Sequence, residues 1–423
     1  MTRDSGSRRR FLAGVAAAGV AATAGCSGLP FGDEQETGGD PPSLPTDAIG
    51  PIDRPAWPFP VAVGRSLVDA HESRTRDLLA DVPADPDVAN AAVAERIGED
   101  RDRVRQRADV DPPDSWPVDI LAAWRRRRGD AATVRGAYRA ATGVDDGSDL
   151  VARRRAIRDD RAALAGELEY RAASVEEAVL AYEPVESLLA ECARHVRPHV
   201  SYPDDPVADP FGAGKAVGDV ERARATATDA AGLRSAFLAE RDDASPRWGS
   251  LVAAADELDG SVSRTRSTVR ERADADLSGT VAQELLTAGE RRIDSAVGDI
   301  EEASDAGEPA TAVAEAGVAL AALDALRTAA DKVRDGRYRE VPTESSVRSA
   351  AERARSGVDA AVDGDDPLAT RLARPVFETL ELVADRIEEG YASPRQTEAE
   401  LTFAGLYADA VPPAAAFVRE RLE

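Results

Sequence analysis

Apolar residues recur at alternating intervals of three and four over nearly all of this chain beyond residue 60. This spacing places the apolar side chains along one stripe of an α-helix, whereas a half-buried strand needs an interval of two. Three stripes show the pattern most clearly: Ala312, Ala316, Ala319, Leu323, Leu326, Ala330 and Val333; Leu401, Ala404, Ala408, Val411, Ala415, Val418 and Leu422; and Leu372, Val376, Leu380, Val383 and Ile387. The sequence therefore predicts an all-α protein, built as one or more multi-helix antiparallel bundles.

Proline, glycine and aspartate divide the body into about ten predicted helices. Their approximate ranges are 61–81, 87–107, 116–142, 149–173, 175–197, 219–242, 247–305 with a break near 275, 309–335, 343–362, 367–390 and 394–423. Pro184 and the pair Pro412-Pro413 lie inside predicted helices. Because proline removes a backbone donor and crowds the preceding turn, each should kink or restart its helix.

The segment 201–218, SYPDDPVADPFGAGKAVG, has no helical period. It is the best candidate for a boundary between an N-terminal helical bundle at 61–200 and a C-terminal helical bundle at 219–423. Its glycine-rich end does not match a phosphate-binding loop, because Asp209 and Ala216 stand where such a loop needs Gly and Ser or Thr. We interpret that end as a flexible approach to the next helix.

The N-terminus contains the clearest motif in the chain. The run Ser-Arg-Arg-Arg-Phe-Leu, with Arg8, Arg9, Phe11 and Leu12, precedes a weakly apolar stretch too short to span a bilayer, and Thr-Ala-Gly-Cys then ends at Cys26. This arrangement resembles the signal segment of twin-arginine-exported lipoproteins of halophilic archaea, although Thr23 stands where leucine is commoner. The resemblance implies that residues 1–25 are a signal peptide, and that a lipid on Cys26 anchors the protein to the outer face of the cell membrane.

Residues 26–60 follow as a predicted flexible tether. Between Ser27 and Pro60 there are eight prolines and five glycines, a composition that cannot bury enough apolar surface to order itself. Trp57 and Phe59 near its end are expected to dock against the body. The alternative is that they are recognised by a partner.

The chain has a formal net charge of −25, and its only lysines are Lys215 and Lys332. Self-repulsion of this size destabilises a compact state, but at molar salt the screening length falls to about 3 Å. The composition is similar to that of exported haloarchaeal proteins; the alternative is an acidic protein from a GC-rich mesophile. The same charge excludes nucleic acid as an expected partner, because phosphate binding needs a concentrated basic face.

One segment departs from the acidic trend. Eleven arginines and six aspartates occur between Arg125 and Arg161. This segment could contact acidic lipid headgroups or an acidic partner. Successive arginines point about 100° apart around a helix, so we favour a solvated face whose arginines pair with surrounding acids.

No catalytic residue and no cofactor are predicted, because the chain has no Gly-x-Ser-x-Gly elbow and no His-Glu-x-x-His pair. Cys192, His195 and His199 lie within eight residues, and with His71 they are the available metal ligands. Because Pro198 should end the helix before His199, core packing and helix capping explain them better than a metal. We therefore expect a non-catalytic protein that binds or scaffolds a protein or solute; the alternative is a metal-binding or redox protein.

Overall fold

The predicted helices are present in the computed structural model, which describes residues 44, 49, 50, 52, 54–109, 118–144, 147–197, 202–241, 243–270 and 277–423. One compact unit runs from Pro42 to Glu423. The predictions for the export motif, Cys26 and most of the tether fall outside the described residues.

Twelve helices and two very short strands make up the described part of the chain, which confirms the all-α class and the multi-helix bundle. The first six helices are α1 (Ser66–Ala80), α2 (Ala91–Ala108), α3 (Val118–Ala141), α4 (Leu150–Gly166), α5 (Val175–His195) and α6 (Pro210–Ala239). The last six are α7 (Trp248–Arg270), α8 (Val281–Ala306), α9 (Pro309–Arg334), α10 (Glu344–Val362), α11 (Pro367–Glu388) and α12 (Pro394–Leu422). Strands β1 (Arg171–Ala172) and β2 (Ser245–Pro246) pair antiparallel.

Polar side chains set where many of these helices begin. The hydroxyl of Ser174 accepts a hydrogen bond from the backbone N–H of Glu177 at 3.0 Å, at the start of α5. The carboxylate of Asp209 accepts one from Gly212 at 2.9 Å, at the start of α6. Each bond satisfies a backbone donor that has no partner inside the helix. The same role is played by Asn90, Thr280, Thr343 and Asp366.

The three apolar stripes read from the sequence lie in α9, α12 and α11, and every residue in them is buried. All of them except Ala330 belong to one large core cluster, together with the inner faces of α5, α7, α8 and α10. Many stripe positions are alanine, so the helix axes can approach closely and bury backbone as well as side chains. The prediction of the core from periodicity is confirmed.

The helices form two groups of six within the compact unit. In the first group α3 and α6 make the most extensive contact, and α1, α2, α4 and α5 surround them. In the second group α9 and α12 are central. Helix α5 joins the groups, because it packs against α6 and also against α9.

The segment 201–218, predicted without helix, is helical from Pro210 onward, so the expected helix start at residue 219 is wrong. Because α6 packs on α3 and α5, it lies with the helices that precede it. The chain passes from the first group of helices to the second between Ala239 and Trp248.

The prolines predicted to kink or restart helices do not end them. Helix α5 continues through Pro184, and α12 continues through Pro412 and Pro413. Tertiary packing therefore outweighs the local cost of a missing backbone donor at these positions.

The C-terminal part of the predicted tether packs against the helices. Ile49 is 1% exposed and belongs to the large core cluster. A guanidinium nitrogen of Arg54 lies 3.3 Å from a carboxylate oxygen of Glu378 on α11. The prediction of a tether over 26–60 is therefore wrong at its C-terminal end, because these side chains find partners on the helices.

Docking of the two tether aromatics on the body is confirmed. The guanidinium carbon of Arg374 lies 4.4 Å from the ring centroid of Trp57. The ring of Phe59 packs edge-on against Phe237 with centroids 6.3 Å apart. These contacts hold the segment before α1 against the helical body.

Two helices of the described residues, α9 and α12, have the length and mean hydropathy to cross a membrane. Their apolar windows are 78% and 72% buried inside the bundle. Their position at the centre of the second group accounts for that apolar character.

Candidate functional site

Cys192 on α5 is fully buried in an apolar cluster of the first helix group. Burial raises the pKa of its thiol to about 11, so the thiol stays protonated at neutral pH. A protonated, buried thiol is neither a nucleophile nor a metal ligand. The expected packing role of Cys192 is confirmed.

The histidines proposed as metal ligands separate in the structure. The Nε2 atom of His71 on α1 lies 2.8 Å from Oδ1 of Asp229 on α6. The Nε2 atom of His195, the last residue of α5, lies 3.6 Å from Oε1 of Glu191. His199 lies outside the described residues. Among those that are described, no group of three or more His, Cys, Asp or Glu side chains has the arrangement of a metal site.

Glycine residues bring α3 and α6 unusually close together. A Cβ atom added to Gly214 would lie 2.5 Å from the carbonyl oxygen of Thr133, and one added to Gly218 would lie 2.9 Å from that of Gly129. Only glycine permits backbones to approach this closely. The glycine-rich run is therefore a helix-packing surface, and our interpretation of it as a flexible approach is wrong.

This close approach lets arginines of α3 reach acids on α6. Glu221 is 1% exposed, and it accepts hydrogen bonds from Nε of Arg74 at 3.1 Å and Nε of Arg128 at 2.9 Å. Burial opposes ionisation of Glu221, but the hydrogen bonds and charges of Arg74 and Arg128 outweigh it and lower the pKa. Glu221 is thus a buried carboxylate neutralised by arginines from two helices.

A second series of charged side chains runs from the buried Asp229 toward the surface. Asp229 is fully buried, and its second oxygen accepts a hydrogen bond from Nη1 of Arg125 at 3.0 Å. The Nη2 atom of Arg125 donates to Glu191 at 3.3 Å. The order His71–Asp229–Arg125–Glu191–His195 therefore links α1, α6, α3 and α5. An ionised carboxylate only accepts hydrogen bonds, so the 2.8 Å contact assigns a proton to Nε2 of His71.

The network opens at its outer end into a pocket of about 340 Å³, here called the arginine pocket. Its lining is Ala122, Arg125, Arg126, Asp130, Glu191 and Arg222. Three arginines thus face two carboxylates.

The three arginines of the arginine pocket differ in how they are paired. The Nη2 atom of Arg222 pairs with Asp130 at 3.2 Å. The Nε atoms of Arg125 and Arg222 have no hydrogen-bond partner in the described part of the chain, but both are buried from solvent and so do not face the open pocket. Arg126 is exposed and forms no ion pair with a described residue. Guanidinium groups with free N–H donors bind carboxylate or phosphate oxygens.

Helix α5 also carries two buried glutamates that contact the second helix group. Nε of Arg371 on α11 donates to both oxygens of Glu183, at 2.6 and 2.8 Å. Glu186 accepts hydrogen bonds from the N–H groups of Ala310 and Thr311 at the start of α9, at 3.2 and 2.7 Å. Burial raises the pKa of Glu186 to about 8, although the Thr311 and Ala310 donors act against that rise.

Part of this network could be read from the sequence. The arginine excess between Arg125 and Arg161 indicated that acids elsewhere must neutralise it, and the favoured pairing is present. The expected solvated face is wrong for Arg125, Arg128 and Arg154, which are buried. The acids Asp229, Glu221 and Glu191 were missed, because no local pattern identifies a partner on another helix.

The fold and the pocket define a helical protein of two six-helix groups with a pocket lined by charged side chains. Residues 66–243 match the model of a family described as Domain of unknown function (DUF8262). Residues 248–420 match that of a second, Domain of unknown function (DUF8264). These segments correspond to α1–α6 and α7–α12. Neither the search of curated proteins nor that of solved structures found a match.

Proposed function

We propose that this chain is a lipid-anchored protein of the outer face of the membrane, and that its helical body binds a small anionic solute in the arginine pocket without catalysis. One observation carries the proposal: Arg126 lines this pocket, is exposed and forms no ion pair with a described residue, while Arg125 and Arg222 beside it add positive charge. A carboxylate or phosphate ligand would supply an acceptor for Arg126.

The anchoring part of the proposal depends on the N-terminal sequence. Arg8 and Arg9, the short apolar stretch and Cys26 occur in the order that twin-arginine-exported lipoproteins have. Leu44 and Ile49 already pack against the helical core, so the chain between Cys26 and Leu44 would form the connection to the membrane. The acidic body would not adhere to an anionic membrane by its own surface.

A metal or redox function has less support from the described residues. The thiol of Cys192 is buried and its pKa is raised. His71 and His195 each lie beside a carboxylate within the charge network. These contacts favour structural roles for all three side chains.

Titration calorimetry on the full chain in detergent and molar salt tests the binding proposal, with inorganic phosphate and succinate as probes. We expect at least one probe to bind, and Arg126→Gln to weaken its binding about tenfold, because one charge-assisted hydrogen bond of about 1.5 kcal/mol or more is lost. Arg155→Gln is the matched control, since Arg155 is an exposed arginine outside the pocket. Absence of binding by both probes, or an equal loss in the control, would overturn the proposal.

A further inference from the structure

A second polar depression lies in the other helix group, between the end of α9, α10 and α12. Its volume is about 520 Å³, within the range of small-molecule sites. We call it the α10–α12 groove. It shares no lining residue with the arginine pocket.

Two glycines let α10 and α12 approach at the floor of the groove. A Cβ added to Gly357 would lie 3.1 Å from Cβ of Ala408, and one added to Gly405 would lie 3.4 Å from the backbone nitrogen of Ala354. Larger side chains at these two positions would push against the facing helix. The floor is therefore made largely of backbone and small side chains.

Four charged side chains line the groove in balance: Lys332 and Arg353 are cationic, and Glu352 and Asp409 are anionic. None of them forms an ion pair with a described residue. The contrast with Lys215 is informative, because the only other lysine of the chain pairs with Asp219 at 2.9 Å. The groove thus presents both signs of charge with their pairing capacity unused.

Thr402 supplies an independent indication of a ligand. It is 4% exposed, it lines the groove, and its hydroxyl has no hydrogen-bond partner in the described part of the chain. Helical threonines elsewhere, such as Thr75 and Thr226, donate to the carbonyl four residues earlier. A buried hydroxyl without a partner destabilises the protein unless something else provides one.

The backbone at Tyr338 is strained at the rim of the groove. Its φ angle is +65°, in the left-handed region that non-glycine residues rarely adopt. The carbonyl of Tyr338 accepts a hydrogen bond from the N–H of Ala282 at 2.9 Å, which holds the residue in place. This conformation keeps an aromatic side chain in the lining, and strain of this kind is concentrated at functional sites.

We propose that the α10–α12 groove binds a small zwitterion of the amino-acid type. Lys332 and Arg353 would bind its carboxylate, and Glu352 and Asp409 would bind its ammonium group. An aromatic ring such as that of Tyr338 also attracts a cation. Balanced lining charges favour a ligand that carries both signs, which distinguishes this site from the arginine pocket. The inference is independent of the proposed anion binding.

Calorimetry of the full chain in molar salt tests the groove with three probes: L-serine, ethanolamine, which lacks the carboxylate, and 3-hydroxypropionate, which lacks the ammonium group. We expect L-serine to bind. Each half-ligand should bind at least about tenfold more weakly than L-serine. If either half-ligand bound as tightly as L-serine, or if L-serine did not bind, the proposal would be overturned.

Variants locate the binding in the groove. Lys332 is half-buried and Asp409 is exposed. Lys332→Gln and Asp409→Asn should each weaken L-serine binding about tenfold. Thr402→Val should weaken binding while the melting temperature of the ligand-free protein stays equal or rises, since an unpartnered hydroxyl is removed. Lys215→Gln is the control and should leave binding unchanged. An equal loss of affinity in Lys215→Gln and Lys332→Gln would place the site elsewhere.

Discussion

At the scale of single residues, Asp229 is the centre of the buried network in the first helix group. It holds His71 at 2.8 Å and Arg125 at 3.0 Å with almost no solvent exposure. A carboxylate in this position neutralises the buried guanidinium of Arg125. Its stabilising effect lies in avoiding an unpaired charge in the interior.

We expect Asp229→Ala to lower the free energy of unfolding by about 3–5 kcal/mol, because Arg125 then remains buried without one of its two partners. Denaturant titration in molar salt measures the change. Asp331→Ala is the control, since Asp331 forms an exposed pair with Arg334 and exposed pairs contribute about 1 kcal/mol or less. Equal losses in the two variants would contradict the role given to Asp229.

The raised pKa of Glu186 predicts how the stability of the protein depends on pH. Its pKa in the folded protein is about 8, above the value of about 4.3 in an unfolded chain. The folded state therefore binds this proton more tightly, and its contribution to stability is present below about pH 4.3 and is lost as pH rises through about 8.

The variant Glu186→Gln has no proton to lose at this position. Its free energy of unfolding should therefore rise relative to the wild type by a few kcal/mol between about pH 5 and about pH 9. Parallel denaturant titrations across this range measure the difference. A difference that does not change with pH would show that Glu186 is ionised in the folded protein throughout.

At the scale of helices, the apolar stripes in α9, α11 and α12 were predictable because each depends only on its own periodicity. The helical start of α6 at Pro210 was not, because glycines such as Gly214 and Gly218 disfavour an isolated helix. Their role becomes visible only when α3 lies against them. Ion pairs such as Arg125–Asp229 were unpredictable for the same reason, since they depend on how two distant helices are aligned.

The glycine contact between α3 and α6 gives a prediction with a clear control. Gly218→Ala should destabilise the protein by about 1–3 kcal/mol, because the added methyl would push against the Gly129 carbonyl and the Thr133 side chain. Gly298→Ala on α8 meets nothing within 4 Å and should stabilise by about 0.5–1 kcal/mol. Thermal unfolding of both variants measures the difference, and a stable Gly218→Ala protein would rule out tight packing at this crossing.

At the scale of the whole molecule, α5 joins the two six-helix groups, because its buried Glu183 and Glu186 contact α11 and α9. The full chain has a formal net charge of −25. Carboxylates repel one another over about 10 Å at 0.1 M salt but only about 3 Å at 1 M.

Dilution of salt should therefore unfold the body cooperatively, if the chain comes from a salt-loving organism as its composition suggests. Circular dichroism across a salt series measures the helical signal. A helical content and a melting temperature that do not depend on salt would instead favour an acidic mesophilic protein.

The proposed attachment of the molecule to the membrane is tested most directly by mass spectrometry of the N-terminal peptide of the protein purified from native membranes. The expected peptide begins at Cys26 and carries the mass of a lipid, and the Cys26→Ser protein lacks that species and leaves the membrane fraction or stays unprocessed. A membrane-bound protein that retains residues 1–25, or one whose Cys26 is unmodified, would contradict the lipid anchor.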